Sequence, residues 1–259
     1  MKFSGNFLGK GGSVYLSIMN AIITQIKNEE NKIYDWLVYH INEGFDTIVL
    51  IDDHSTDKTI DIVNEVREQY NVNIIVEESV FLYFPELKSE FGNFLDRQVR
   101  SINRGLQIVK EIDNEGTATF IDPDEFMVTN EIKPVVQVIR EMMNEENCNE
   151  ILFHNFDVKS GYDYGRGFTK DETTKYRWSY EGLENNGHWN SRRKGTILVK
   201  YANDITFVHV PNQNEQAIMY WNENNERLRM HHYRTPNLTE DITDWSVDYS
   251  IIDKMKKIL

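Results

Sequence analysis

Along the first half of the chain, apolar and polar positions follow two rhythms in alternation. Short continuous apolar or β-branched runs at 21–25, 47–51, 72–76 and 117–121 predict strands, and the unbroken run at 47–51 predicts one buried on both faces. Between them lie longer stretches with helical spacing, at 31–42, 57–70 and 91–110. In the first of these, Ile33, Trp36, Leu37, Tyr39 and His40 share the apolar side. Gly44 is placed to end that helix, and Ser55 and Thr56 stand as caps before the next. Strands alternating with helices of this length predict an α/β fold with a Rossmann-like, mostly parallel central sheet flanked by helices.

After Pro134 the rhythm loosens. A helix to about residue 143 and a strand near 150–157 precede a region rich in Gly, Tyr and Arg, 161–195, that has no clear period. Strands are expected near 196–200 and 205–210, and a terminal helix from about 244. With no repeat, low-complexity tract or linker, the chain reads as one domain. Its regular half, about 20–128, has the look of a scaffold; the irregular half, about 129–259, that of a surface shaped for one substrate.

Composition narrows the function. A formal net charge of −14 argues against a nucleic-acid binder, which needs a basic face. The single cysteine, Cys148, excludes an internal disulfide and a cysteine zinc cluster, and suits a reducing compartment. The apolar stretch over 14–26 is broken by Ser17, Asn20, Thr24 and Gln25 and is too short to span a bilayer, so a soluble, cytoplasmic protein without an integral membrane segment is expected. Residues 5–11, GNFLGKG, look like a phosphate loop but are one residue short, with Gly11 where Ser or Thr is required.

Two acidic clusters follow predicted strands: Asp52-Asp53-His54-Ser55-Thr56-Asp57, and Asp122-Pro123-Asp124-Glu125. In an open parallel sheet, ligands bind beyond the carboxyl ends of the strands, so both clusters should line one crevice. Carboxylate oxygens are the hard ligands that Mg²⁺ or Mn²⁺ prefers, with substrate phosphates and water completing the shell. The first cluster is equally readable as helix-capping turn chemistry. In the second, three acids against an apolar strand end repel one another, which favours a role beyond a turn.

Taken in order, Lys27-Asn28-Glu29, Asp35-Trp36-Leu37-Val38-Tyr39-His40, Asp52 to Asp57 and Asp122-Pro123-Asp124-Glu125-Phe126 resemble a known set. They are similar to the motifs R/K-N-E, E/D-W-x-x-Y/H-H, D-x-x-S-x-D and D-x-D-E-F of one branch of the GT-A-type glycosyltransferases, in the family-2-like superfamily. Gln98 and Asn103 occupy places where that branch tends to carry Gln and Asn. Lys194, His209 and His232-Tyr233-Arg234 resemble its later elements. The resemblance runs from about residue 21 to 234.

What the resemblance implies is a metal-assisted, inverting transfer of a sugar from a nucleotide-diphosphate-sugar donor to a hydroxyl acceptor. The donor expected first is a UDP-sugar, with GDP- and dTDP-sugars as alternatives, and the acceptor is a glycan, protein or lipid. Residues 20–128 become the donor half and 129–259 the acceptor half. Asp52 and Asp53 would contact base and ribose, with Lys27, Asn28 and Glu29 beside them. Asp122 would reach the ribose or a metal-bound water, and Gln98 belongs to the same donor set. Asp124 would ligate Mn²⁺ or Mg²⁺, with His232, or its neighbour His231, as a second ligand or diphosphate contact. Arg234 and Lys194 would pair with the diphosphate.

An inverting transfer needs a carboxylate to take the acceptor's proton. Asp157, at the end of a predicted strand, is the preferred candidate, with Glu181 and Asp163 next. Trp178, Trp189, Tyr162, Tyr164 and Tyr180 are placed to stack on sugar rings or to form local core. Two other readings remain. A nucleotidyltransferase on a similar sheet would want a Gly-rich phosphate loop near residues 26–33, where there is none. A non-catalytic carbohydrate-binding protein on a decayed transferase fold would be expected to lose the acids at 122, 124 and 125.

Overall fold

A computed structural model of the chain describes residues 18–79, 90–159, 175–177, 193–205, 212–213, 216–221, 227–232 and 245–247. The regular half folds as β1 (Asn20–Ile26), α1 (Ile33–Asn42), β2 (Thr47–Asp52), α2 (Thr59–Gln69), β3 (Asn73–Glu78), α3 (Glu90–Ile112) and β4 (Thr117–Phe120). Next come β5 (Glu125–Val128), α4 (Val135–Glu145), β6 (Glu150–Lys159), β7 (Lys175–Arg177) and β8 (Arg193–Leu198). Short strands close the list: β9 (Ala202–Asn203), β10 (Asn212–Gln213), β11 (Met219–Trp221), β12 (Arg229–His232) and β13 (Trp245–Val247).

The main sheet runs β13-β7-β6-β8-β4-β1-β2-β3. Strands β3, β2, β1 and β4 are parallel, and β8 lies antiparallel between β4 and β6. This is the mixed α/β fold, with a mostly parallel central sheet flanked by helices, that the alternating rhythm predicts. β1 and β2 are buried along their whole length, which is why they read as unbroken apolar runs. The chain steps from β1 outward to β2 and β3, then crosses back to place β4 on the other side of β1. The gap between β1 and β4 is therefore the switch point where a crevice opens beyond the strand ends.

Gly105 lets α3 lie close on the sheet: a Cβ there would meet Ile23 Cγ2 at 2.4 Å. That approach carries the part of α3 two turns earlier, with Arg97 and Gln98, over the ends of the strands. On the opposite face, α1 does more than pack. β5 lies off the main path and pairs with β12 on one side. α1 bonds to its main chain: Trp36 Nε1–H donates to Glu125 O (2.8 Å) and Tyr39 Oη–H to Met127 O (2.7 Å). The Met127 N–H approaches His40 Nε2 at 3.5 Å. The D-W-x-x-Y-H motif is thus a side-chain ladder that satisfies a strand which would otherwise be short of partners.

Three expectations need correction. The terminal helix expected from about 244 is a strand at its start, since Trp245–Val247 pairs antiparallel with Lys175–Arg177. Trp and Val suit a strand, and a sheet partner supplied by tertiary structure overrides a weak helical pattern. Ser55 and Thr56 do not cap α2. The Thr59 N–H is taken by Asp57 Oδ1 at 3.0 Å, leaving Ser55 and Thr56 to bond elsewhere. The strand expected over 196–200 begins earlier, at Arg193, and breaks into a 3₁₀ turn at Val199–Tyr201. The strand expected over 205–210 falls, from residue 206 on, outside the described residues, as do Glu181, Asp163 and the five candidate stacking aromatics. Among the described residues no helix is long and apolar enough to cross a membrane.

The ladder makes a testable demand on pH. His40 is fully buried and its Nδ1 lies 2.8 Å from Trp36 O, a carbonyl that can only accept, so the ring carries its proton on Nδ1 and is neutral. Burial pushes its pKa down to about 3. An unfolded chain takes up this proton below its ordinary value near 6.5, whereas the folded chain refuses it until about 3. The stability His40 contributes is therefore complete above pH 6.5 and is lost progressively as pH falls toward 3. Urea unfolding of the wild type and of His40→Gln between pH 7 and 4 should show the wild type losing stability more steeply, by one proton's worth of slope. Equal slopes would mean that the imidazole is not held neutral in the fold.

Candidate functional site

The first and third motifs turn out to be one structure. Asn28 takes a left-handed conformation (φ 55°) just after β1, a position that Asn tolerates better than most residues. Its N–H donates to Ser55 Oγ at 3.0 Å, and its Oδ1 accepts the Thr56 N–H at 2.8 Å. Ser55 in turn donates to Asp52 Oδ1 from both its N–H (3.1 Å) and its hydroxyl (2.5 Å). The Glu29 N–H donates to Thr59 Oγ1 and the Glu30 N–H to Asp57 Oδ2. Asn28, Asp52, Ser55 and Asp57 thus stitch two strand-end loops together, which accounts for their spacing.

Asp53 is placed differently. Its carboxylate is 1% exposed, and its Oδ2 lies 3.3 Å from Lys27 Nζ and 3.4 Å from an Arg97 Nη. Its Oδ1 is buried with no hydrogen-bond partner among the described residues. A buried carboxylate oxygen without a donor is costly, and this one lies beyond the ends of the strands. Arg97 is a member of this cluster that sequence reasoning missed. It sits among several basic residues on a helix, and such a run normally reads as a solvated face.

The second cluster forms at the end of β4. Asp122 accepts from Gln98 Nε2 at 2.9 Å through Oδ1, and its Oδ2 lies 3.1 Å from Lys194 Nζ. The same ammonium lies 2.8 Å from Glu125 Oε2, which also accepts the Asp122 N–H at 2.8 Å. Burial alone would depress the Lys194 pKa, but the charges of Asp122 and Glu125 outweigh it and raise it. The sequence grouped Glu125 with Asp122 and Asp124 as one of three acids against an apolar strand end. It is in fact 1% exposed at the first position of β5.

Asp124 looks away from this pair. Its Oδ2 lies 3.4 Å from His232 Nε2, both side chains being partly exposed. β12 brings the histidine there by threading between β5 and β6, so that His232 pairs with Glu125 on one side and with Asp157 on the other. Of the two neighbouring histidines, only the His232 side chain is among those described, and it lies beside Asp124. Glu29 belongs to the same crevice: burial pushes its carboxyl pKa up, the Lys32 ammonium at 2.9 Å opposes that, and the charges of Asp124 and Asp57 add to it. Asn103 instead ties α3 to Ile205, giving its Nδ2–H to Ile205 O (3.0 Å) and accepting the Ile205 N–H (2.6 Å). Asp157 is placed by backbone register alone, while Arg234, His209 and Arg192 lie outside the described residues.

Lys27, Asp53 and Arg97 therefore form one group, Gln98, Asp122, Lys194 and Glu125 a second, and Asp124 with His232 a third, all beyond the carboxyl ends of β1, β2 and β4. Among the described residues no three His, Cys, Asp or Glu side chains converge as a ready-made metal cage. One carboxylate with one imidazole is still a donor set that fits Mn²⁺ or Mg²⁺, ions that leave most of their shell to water and substrate phosphates.

No protein-family model and no curated protein matches this chain. Among solved structures, residues 1–349 of S. aureus TarS in complex with UDP superpose with a TM-score of 0.45 at 14% identity, over 85% of this chain and 61% of that one. A longer TarS structure superposes with a TM-score of 0.38 at 21% identity, over 60% of this chain. Glucosyl-3-phosphoglycerate synthase from Mycobacterium tuberculosis, in complex with Mn²⁺, UDP-glucose and phosphoglyceric acid, gives a TM-score of 0.36 at 16% identity, over 56% of this chain and 45% of that one. The chain spans about a quarter of the longer TarS structure and three fifths of the shorter.

Proposed function

We propose that the chain is a glycosyltransferase that moves a sugar from a UDP-sugar to a hydroxyl of a glycan, protein or lipid with the help of Mn²⁺ or Mg²⁺. The observation that carries the reading is Asp53 at the switch point of the sheet, whose Oδ2 is held by the cations Lys27 and Arg97 while its buried Oδ1 has no hydrogen-bond partner among the described residues. Uracil presents a single N–H between two carbonyl oxygens, so a lone carboxylate oxygen can accept the N–H and cations held by the same carboxylate can donate to a neighbouring carbonyl. Thymine shares that edge. Guanine offers two adjacent donors and would leave one of them facing a cation. Lys27 is about half exposed, so it is the flexible partner that gives way when a base enters.

With the base at Asp53, the diphosphate extends along the strand ends toward Asp124 and His232. A divalent cation held by these two residues would offset the charge that develops on the departing nucleoside diphosphate. Asp122, fixed by Gln98 and Lys194, lies between base and diphosphate, in reach of the ribose. Asp157, one strand over from His232, is the assigned general base. It takes the acceptor hydroxyl's proton as the acceptor oxygen bonds to the anomeric carbon and the bond from that carbon to the diphosphate oxygen breaks, inverting the centre. Residues 20–128 supply the donor contacts and 129–259 the acceptor side.

Three outcomes are expected. UDP should bind in calorimetry with Mn²⁺ present and much more weakly in EDTA, and Asp124→Asn should abolish that difference while leaving the circular dichroism unchanged; equal affinity in EDTA would remove the metal from the scheme. Asp53→Ala should weaken free UDP and the UDP-sugar alike, by about 10- to 100-fold, the worth of a charged hydrogen bond. GDP binding as tightly as UDP to the wild type would sink the assignment of the base. Asp157→Asn should leave UDP affinity nearly unchanged while sugar transfer falls by roughly two to four orders of magnitude. Loss of both would make Asp157 a donor-side or structural residue.

A further inference from the structure

Lys194 is an unusual side chain for a sheet interior. It stands on β8 at the rung opposite Phe153, one residue before Gly195 faces Phe120 on β4, and its side chain is 4% exposed. From there the ammonium reaches past the end of β4 to Asp122 Oδ2 and Glu125 Oε2. The geometry points to Lys194 as a positioning residue: the fixed counter-charge that divides labour among the three acids of the loop, rather than a contact for the diphosphate.

The division follows from which oxygens are engaged. Asp122 is gripped at both, Oδ1 by Gln98 and Oδ2 by Lys194, so its carboxylate plane cannot rotate. Glu125 Oε2 accepts the Asp122 main-chain N–H and meets the ammonium, which closes the loop on itself. Asp124, on the other side of the turn, is left beside His232. Without Lys194 the buried Glu125 carboxylate and the partly exposed Asp122 carboxylate would lose the ammonium that now lies between them, and a buried charge that loses its partner is costly. The loop would then open, and Asp124 and Asp122 would lose their placement together. An ammonium this buried and this engaged is badly placed to meet a phosphate, which needs an accessible charge.

The ligand arm of the test rests on the proposed donor; the stability arm does not. Lys194→Met, Glu125→Gln and the double variant would be made in the full chain. Melting temperature would be read without ligand, and UDP affinity by calorimetry with Mn²⁺. Lys194→Met should melt several degrees lower and bind UDP at least about tenfold more weakly. The double variant, which removes one buried anion with the cation, should recover most of both losses. A diphosphate contact predicts otherwise: unchanged or higher melting temperature in Lys194→Met, and a UDP deficit that Glu125→Gln does not repair. Either result overturns the proposal. Should Lys194→Met fail to fold, a folded double variant supports the counter-charge and an unfolded one refutes it. Failure of the wild type to bind UDP would refute the donor reading and leave the melting comparison to decide Lys194.

Discussion

Three carboxylates fall within four residues after β4, and a cluster of that density keeps one shape only with a cation fixed inside it. Lys194 is that cation, and several features of the fold bear on its placement. β8 must run antiparallel beside β4 to bring a side chain to the end of a parallel strand. Glu125 must begin a strand, so that its carboxylate is immobile, and α1 must hold that strand through Trp36, Tyr39 and His40. A buried ion pair is stabilising only when its remaining hydrogen-bonding capacity is used. Gln98 and the Asp122 N–H are among the groups that use it here.

The same arithmetic bears on the proposed donor site: in a chain of net charge −14, an anionic diphosphate would need imported positive charge. Among the described residues the cations at the strand ends are engaged: Lys27 and Arg97 with Asp53, Lys32 with Glu29, Lys194 with Asp122 and Glu125. Each holds a carboxylate in place and leaves little charge to spare. A diphosphate entering beside Asp124 meets a surface that stays acidic unless a divalent ion comes with it. Protein cations that position acids, and a metal that receives the phosphates, are complementary uses of charge.

The parallel scaffold was legible because β1 and β2 are buried on both faces, and full burial writes an unbroken apolar run into the sequence. The strand-end acids were legible for the related reason that charged residues directly after such a run mark sharply where the apolar strand ends. What was hidden is everything that depends on pairing between distant segments. β12 is four residues long and reads R-M-H-H, a pattern no strand rule recognises, and it exists because β5 and β6 each offer it an edge. Arg97 was hidden because helix periodicity does not say which basic residue reaches a buried acid. Glu125 was visible as an acid, but its burial was not, since a buried glutamate is made tolerable by tertiary partners such as Lys194.

That hidden strand also joins the two halves of the chain chemically. Glu125 on β5, His232 on β12 and Asp157 on β6 occupy one rung, so the loop at the end of β4 and the acceptor-side strand are two hydrogen-bonded steps apart. The register is set by the core: Met230 is fully buried, with Leu228 just before it also buried. A slip of one residue would turn Met230 out of the core and put His231 in the rung where His232 now stands. Apolar packing two residues away therefore decides which histidine meets Asp124. In the proposed reading, Asp157 cannot shift along this rung without also shifting His232 beside Asp124, so the two sides of the transfer move as one.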